Sequence, residues 1–200
     1  MQLNHDNVAK LDLDALTKYL IVKKPNVVTQ RKIAEQIMNK LELEVVNQYL
    51  KILSEDENWI CRSFSCYILP TCFRVVENKE EIRRMLFRLA NDEDWRVRES
   101  VAWSFYKLLK DDFETTYHFL TDLSTNDSEN IRRAMIMAAA KMGKHREEKY
   151  AKPLLDVVRL FLKDKSKYVQ KAIIFAIGDC FLRYYPSDTF VCLKTWAKSR

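Results

Sequence analysis

Four copies of one short pattern constrain this chain more than any other feature of it. The best-formed copy is Asp94-Trp95-Arg96-Val97-Arg98-Glu99-Ser100. Its relatives are Asn58-Trp59-Ile60-Cys61-Arg62-Ser63, Glu129-Asn130-Ile131-Arg132-Arg133-Ala134 and Lys167-Tyr168-Val169-Gln170-Lys171-Ala172. Aligning Ile60, Val97, Ile131 and Val169 gives spacings of 37, 34 and 38 residues, and three places later each copy has a small residue, Ser63, Ser100, Ala134 or Ala172. An apolar helical pattern follows each time. A unit of this length cannot bury its own hydrophobic face, so neighbouring units must stack to make a core.

A two-helix unit of about 40 residues is the signature of HEAT-like repeats. The chain has only 2 Gly and 4 Pro in 200 residues, which leaves little turn chemistry for hairpins. The expected fold is therefore all-α, a HEAT-like helical-repeat solenoid of about five to six antiparallel helix pairs in a right-handed stack, without strands. One domain spans 1–200, with 1–41 as an irregular N-terminal helical cap and 42–200 as regular repeats. Helical periodicity places the pairs near 43–53 and 58–76, 79–90 and 95–109, 113–123 and 129–142, and 147–163 and 167–184, with a last helix near 188–198. Ahead of them, 8–24 reads as a cap helix stopped by Pro25, and Thr29 as the N-cap of the next.

Short acidic or polar turns separate the partners, such as Asn91-Asp92-Glu93-Asp94 and Thr125-Asn126-Asp127-Ser128, and their side chains suit the amide ends of the helices that follow. Gly143 reads as a C-cap. Pro153 marks a late helix start near Lys152, and Pro70 should bend or split its helix.

Net charge is +6, and all of the excess lies in the second half: residues 1–100 hold 16 Lys and Arg against 16 Asp and Glu, and residues 101–200 hold 18 against 12. A basic half-surface suits a polyanion or is an ordinary solvated helical face; charge alone does not choose. Cys61, Cys66, Cys72, Cys180 and Cys192 form no C-x-x-C pair, and with His5, His118 and His145 scattered there is no metal-ligand spacing, so free thiols in a reducing cytoplasm and no metal are expected. Met1 to Lys10 lacks an apolar leader and no run approaches the ~18 apolar residues of a membrane span, so no membrane partner is expected. Phosphate-cradling glycine loops, nucleophile elbows and H-E-x-x-H are missing, which argues against nucleotide hydrolysis and cofactor redox; no cofactor is called for.

Two places after the aligned aliphatic stand Arg62, Glu99, Arg133 and Lys171, a row with one acid. Trp95 lies one turn before Glu99, and Trp103, Met137 and Phe175 take a matching place one turn further on. An anion beside an aromatic plate, flanked by cations, is the chain's one chemical constellation. Its bland counterpart is an inter-repeat rung in which Glu99 pairs with Arg62, Arg133 or neighbours on its own helix and Trp95 packs between turns.

The segments Trp95-x-x-x-Glu99, Arg132-Arg133-Ala134-Met135-Ile136 and Val169-Gln170-Lys171-Ala172-Ile173-Ile174-Phe175 resemble the DNA alkylation repair glycosylases built of HEAT-like repeats, the AlkD/AlkC type. In that pattern a Trp precedes a catalytic Asp by four places, an Arg stands in the next repeat, and a Trp follows Gln-Lys-Ala-Ile. Carried over, these fall on Trp95, Glu99, Arg133 and Phe175, with Glu in place of Asp and Phe in place of Trp. The resemblance implies a cytoplasmic, bacterial-type monomer, nucleoid-associated when bound, acting on duplex DNA with alkylated bases. Glu99, Trp95 and Phe175 would be catalytic, and Arg133, Lys171, Arg132, Arg62 and Trp103 would contact DNA. A cationic alkylpurine is already a good leaving group, so a carboxylate and aromatic faces beside the sugar are the chemistry such a site needs. The alternative is a non-catalytic HEAT scaffold that binds nucleic acid or protein on its concave face.

Overall fold

The computed structural model describes residues 12–76 and 79–198, and among them every regular element is helical. The part of the expected cap helix before residue 12 lies outside the described residues. The chain forms two compact units, Met1–Ser104 and Phe105–Arg200, whose boundary falls within one helix.

The first unit contains α1 (Leu13–Lys23), α2 (Val27–Lys40), α3 (Leu43–Glu55), α4 (Trp59–Val75), α5 (Lys79–Ala90) and the first part of α6 (Trp95–Asp111). Asp12 caps α1 by accepting from the Ala15 amide at 2.9 Å, and the helix stops at Lys24, which takes a left-handed conformation (φ 44°) just before Pro25. The cap of α2 is Asn26 rather than Thr29: Asn26 Oδ1 accepts from the Thr29 amide at 2.9 Å. The core is drawn from the apolar stripes, with Leu16, Leu20, Ile37, Leu50, Leu53, Phe64, Ile68, Leu69 and Leu86 fully buried. Each such side chain contributes about 1.5–3 kcal/mol relative to exposure.

α4 runs through Pro70 without the expected split. A proline has no amide hydrogen for the carbonyl four residues back, which here is Cys66. That carbonyl accepts instead from Ser104 Oγ of α6 at 2.6 Å in a fully buried position. The neighbouring helix thus satisfies the acceptor that the proline leaves without its usual donor.

The second unit contains the rest of α6, α7 (Phe113–Asp122) with a 3-10 turn at Leu123–Thr125, α8 (Glu129–Gly143), α9 (Glu148–Arg159), α10 (Lys167–Phe175) and α12 (Pro186–Lys198). Between the last two, α10 continues as a π-helix at Ala176–Phe181 and closes in α11 (Leu182–Tyr184). α9 starts at Glu148 and carries Pro153 in its interior, so that proline does not mark a start, and the helix ends four residues short of the expected 163. Gly143 is the last residue of α8 and has no left-handed backbone; Arg146 (φ 61°) takes that conformation. What requires glycine is close approach. A Cβ there would lie 3.0 Å from Cys180 Sγ and 3.1 Å from Phe181 Cε1.

The turns before α4, α6, α8 and α10 repeat the same hydrogen bonds. Oδ1 of Asp56, Asp92, Asn126 and Asp164 accepts from the amide two residues on, at 2.7, 2.9, 2.9 and 2.8 Å. Nη1 of Arg62, Arg98 and Arg132 donates to the carbonyls six and five residues back, at 2.6–2.9 Å, and Gln170 Nε2 donates to the Asp164 carbonyl at 2.8 Å. These atoms define the repeat register, with spacings of 36, 34 and 38 residues. The first copy is therefore shifted by one from the apolar alignment. Cys61, not Ile60, matches Val97, and Ser63, not Arg62, belongs in the row of Glu99, Arg133 and Lys171. Trp59 matches Trp95, and Tyr67 matches Trp103.

Candidate nucleic-acid interface

In the first unit, α6 carries three of the expected site residues in successive turns. Trp95 opens the helix and is 64 % exposed. Glu99 follows one turn on and is half-buried, and Trp103 one turn further is also half-buried. Tyr67 meets Trp103 edge to face, ring centroids 5.0 Å apart, and its hydroxyl hydrogen-bonds to Ser100 Oγ at 3.0 Å. Burial raises the Tyr67 pKa, which keeps the phenol protonated. Arg31 of α2 lies over both rings, 5.0 Å from Trp103 and 5.5 Å from Tyr67. A parallel contact occurs at the helix start, where Arg96 lies 3.5 Å from the Trp59 centroid while pairing with Asp94 at 2.5 Å.

Arg62 does not extend this constellation. Its Nε and Nη2 donate to the two oxygens of Asp92 at 2.6 and 2.9 Å, its Nη1 braces its own turn, and its side chain is only 13 % exposed. The hydrogen bond to Asp92 pushes its pKa further up. Arg132 is built alike, paired to Asp164 through Nε (2.6 Å) and Nη2 (3.2 Å). Both of these expected DNA contacts hold repeats together, because their guanidinium forks point into the turns rather than outward. Ser63, next to Arg62, is buried, whereas Arg133, next to Arg132, is half-exposed. Arg133 stacks on Tyr168 at 4.7 Å, and on α10 Lys171 is exposed with Phe175 one turn on, 39 % exposed. Ile174 beside it is 71 % exposed.

Arg31 and Tyr168 went unanticipated for different reasons. Arg31 lies in the irregular first pair, where no repeat copy flags it. Tyr168 stands just before the Gln-Lys-Ala-Ile segment and was visible, but its partner Arg133 belongs to another copy. His145 stacks on Tyr106 and its Nε2 hydrogen-bonds to the Tyr106 hydroxyl at 2.8 Å, while His118 stands edge-on to Tyr117; neither meets a nucleophile. Among the described residues no group of three or more His, Cys, Asp or Glu could hold a metal ion, and no helix is long and apolar enough to cross a membrane.

Residues 46–140 match the family model of HEAT repeats. No curated protein matches the sequence. Among solved structures, the crystal structure of AlkD2 from Streptococcus mutans aligns with a TM-score of 0.77 over 94 % of this chain and 90 % of that one, at 16 % identity. The crystal structure of smu.31 from Streptococcus mutans UA159 aligns with a TM-score of 0.74 over the same shares, also at 16 % identity. Identity this low makes the likeness one of fold. Together these findings give the chain an AlkD-like fold, all-α among the described residues, with HEAT repeats over residues 46–140.

Proposed function

We propose that this protein binds duplex DNA and excises cationic alkylated purines of the 3-methyladenine and 7-methylguanine type. The observation that carries this reading is Glu99, the one acid in the corrected row of Ser63, Glu99, Arg133 and Lys171, half-buried one turn after a solvent-exposed indole. In the reaction the C1′–N bond breaks, its electron pair leaves with the cationic base, and positive charge develops on the deoxyribose. The Glu99 carboxylate stabilises that charge and orients the water that adds to C1′, the released proton passing to solvent. Trp95 and Phe175 offer π faces to a cationic sugar, worth ~0.5–2 kcal/mol each. Arg133 and Lys171 hold phosphates, and Trp103 lends the first unit an aromatic surface beside Arg31.

The test is incubation with duplex DNA containing N7-methylguanine, followed by alkaline cleavage at abasic sites. Wild type should release base, and Glu99→Gln should keep DNA affinity while excising about 100-fold more slowly. Wild-type excision by Glu99→Gln would remove the carboxylate from its role. Binding without any release of base would leave a DNA-binding HEAT scaffold.

A further inference from the structure

α12 carries an apolar side that no other described residue covers. Of its side chains only Thr189 is buried, while Phe190 and Val191 are 57 % and 63 % exposed and Leu193 and Trp196 are half-buried. Between α12 and the end of α9 runs a groove of about 810 Å³, floored by Leu160, Leu162, Val191, Leu193 and Trp196. Leu160 and Leu162 are themselves 44 % and 37 % exposed. An apolar patch of this kind marks an interaction site.

Charge says what fits. Lys152, Arg159 and Lys163 line the groove, against a single carboxylate, Asp156, which Arg159 Nε already engages at 3.2 Å. Lys152 and Lys163 have no ion-pair partner among the described residues. A second copy would set cations against cations. A groove, rather than a protruding apolar ridge, suits an inserted helix better than a flat lipid surface. We infer that the α9–α12 groove docks an acidic amphipathic helix of a partner protein, its apolar anchors at i, i+3, i+4 and i+7 against Trp196 and Val191 and its Glu or Asp residues toward Lys152, Arg159 and Lys163. The DNA reading plays no part in this inference.

The test is selection from a phage-displayed library of 16-residue helices with apolar residues held at i, i+3, i+4 and i+7 and all other positions randomised. Enriched peptides should be Glu- and Asp-rich. Their affinity, read by fluorescence anisotropy, should fall by about tenfold or more in Val191→Asp and in Lys152→Glu/Lys163→Glu, the scale of removing an interface hot spot. These are surface positions, so circular dichroism and Tm should stay at wild-type values. Peptide binding should also slow alkylation of Cys192, which lines the same groove. Arg133→Ala/Lys171→Ala should bind the peptides as wild type does, whatever becomes of DNA binding. Enrichment of basic peptides, no saturable enrichment, or affinity unmoved by Val191→Asp would overturn the inference. So would loss of peptide binding in the Arg133 and Lys171 variant, which would mean that the peptides merely imitate a polyanion. Sedimentation showing a dimer that Val191→Asp dissociates would assign the groove to a second copy. Phosphatidylserine vesicle binding lost in Val191→Asp, without peptide enrichment, would assign it to membrane.

Discussion

Arg62 and Asp92 lie thirty residues apart and are joined by two parallel hydrogen bonds, Nε to Oδ2 at 2.6 Å and Nη2 to Oδ1 at 2.9 Å. The side chains are 13 % and 8 % exposed, so the pair is largely out of water. Removing the guanidinium strands a buried carboxylate and frees the Asp56 and Glu57 carbonyls. Arg62→Met should therefore cost about 3 kcal/mol, read as a lower urea midpoint at unchanged slope.

The matching pair in the second unit carries a pH signature. The hydrogen bond from Arg132 holds the Asp164 carboxyl below its ordinary value. The folded chain thus binds fewer protons there than the unfolded chain, so the pair's contribution is complete above the ordinary carboxylate pKa of about 3.9 and is lost as pH falls through the lowered value. Urea unfolding across a pH series should show wild type more stable than Asp164→Asn at neutral pH, with the gap shrinking below about pH 4. A gap that held constant down to pH 2 would contradict the assignment.

Ser104 and Pro70 should be coupled. Ser104→Ala orphans the buried Cys66 carbonyl at a cost of about 1–3 kcal/mol. Pro70→Ala restores an amide hydrogen to the same carbonyl, so the serine substitution should cost less in that background. A double-mutant cycle should give a coupling of about 1 kcal/mol; additivity would show that the two do not serve one acceptor.

The two glycines should respond in opposite directions. Gly143→Ala drives a methyl against Cys180 Sγ and Phe181 and should destabilise by about 1–3 kcal/mol despite alanine's helical preference. Around Gly178 an added Cβ meets nothing within 4 Å, so Gly178→Ala should be stabilising by about 0.5–1 kcal/mol. Thermal unfolding of both variants checks the pair.

If Arg133 and Lys171 hold phosphates, Arg133→Ala/Lys171→Ala should lower the slope of log affinity for duplex DNA against log salt by about 2, one for each lost contact. Arg62→Met, by contrast, should change stability and leave that slope alone. Equal slopes in wild type and the double variant would remove both residues from the interface.

Much of this architecture was legible in the sequence because periodicity and turn chemistry are local. The helix pairs and their polar turns fall close to where the apolar stripes place them. The register of the first copy was not legible: Ile60 and Cys61 are both apolar, and a cysteine does not announce itself as the counterpart of valine. Only the bonds of Arg62 and Asp56 distinguish the two. That one-residue slip placed Arg62 in the Glu99 row. The unbroken run of α4 through Pro70 and the role of Gly143 were not legible for a related reason, since each depends on a partner far along the chain, Ser104 for one and Cys180 with Phe181 for the other. The constellation on α6 was visible as a spacing, while Arg31 over Trp103 required the packing of a helix outside the repeat.

The π-helix at Ala176–Phe181 has a consequence for chain length. A π turn accommodates one residue more than the α-helical turn it replaces, and each α-helical residue rotates the chain by roughly 100°. The wider turn absorbs that residue locally, so Phe181 and Tyr185, both buried with ring centroids 6.4 Å apart, meet the Gly143 surface on the face they would hold in an unbroken α-helix. Deleting Gly178 should therefore let the segment close into an α-helix that leaves the side chains after it on the same face. The segment is one residue stored in the width of a turn, tolerant of exchange at its exposed glycine.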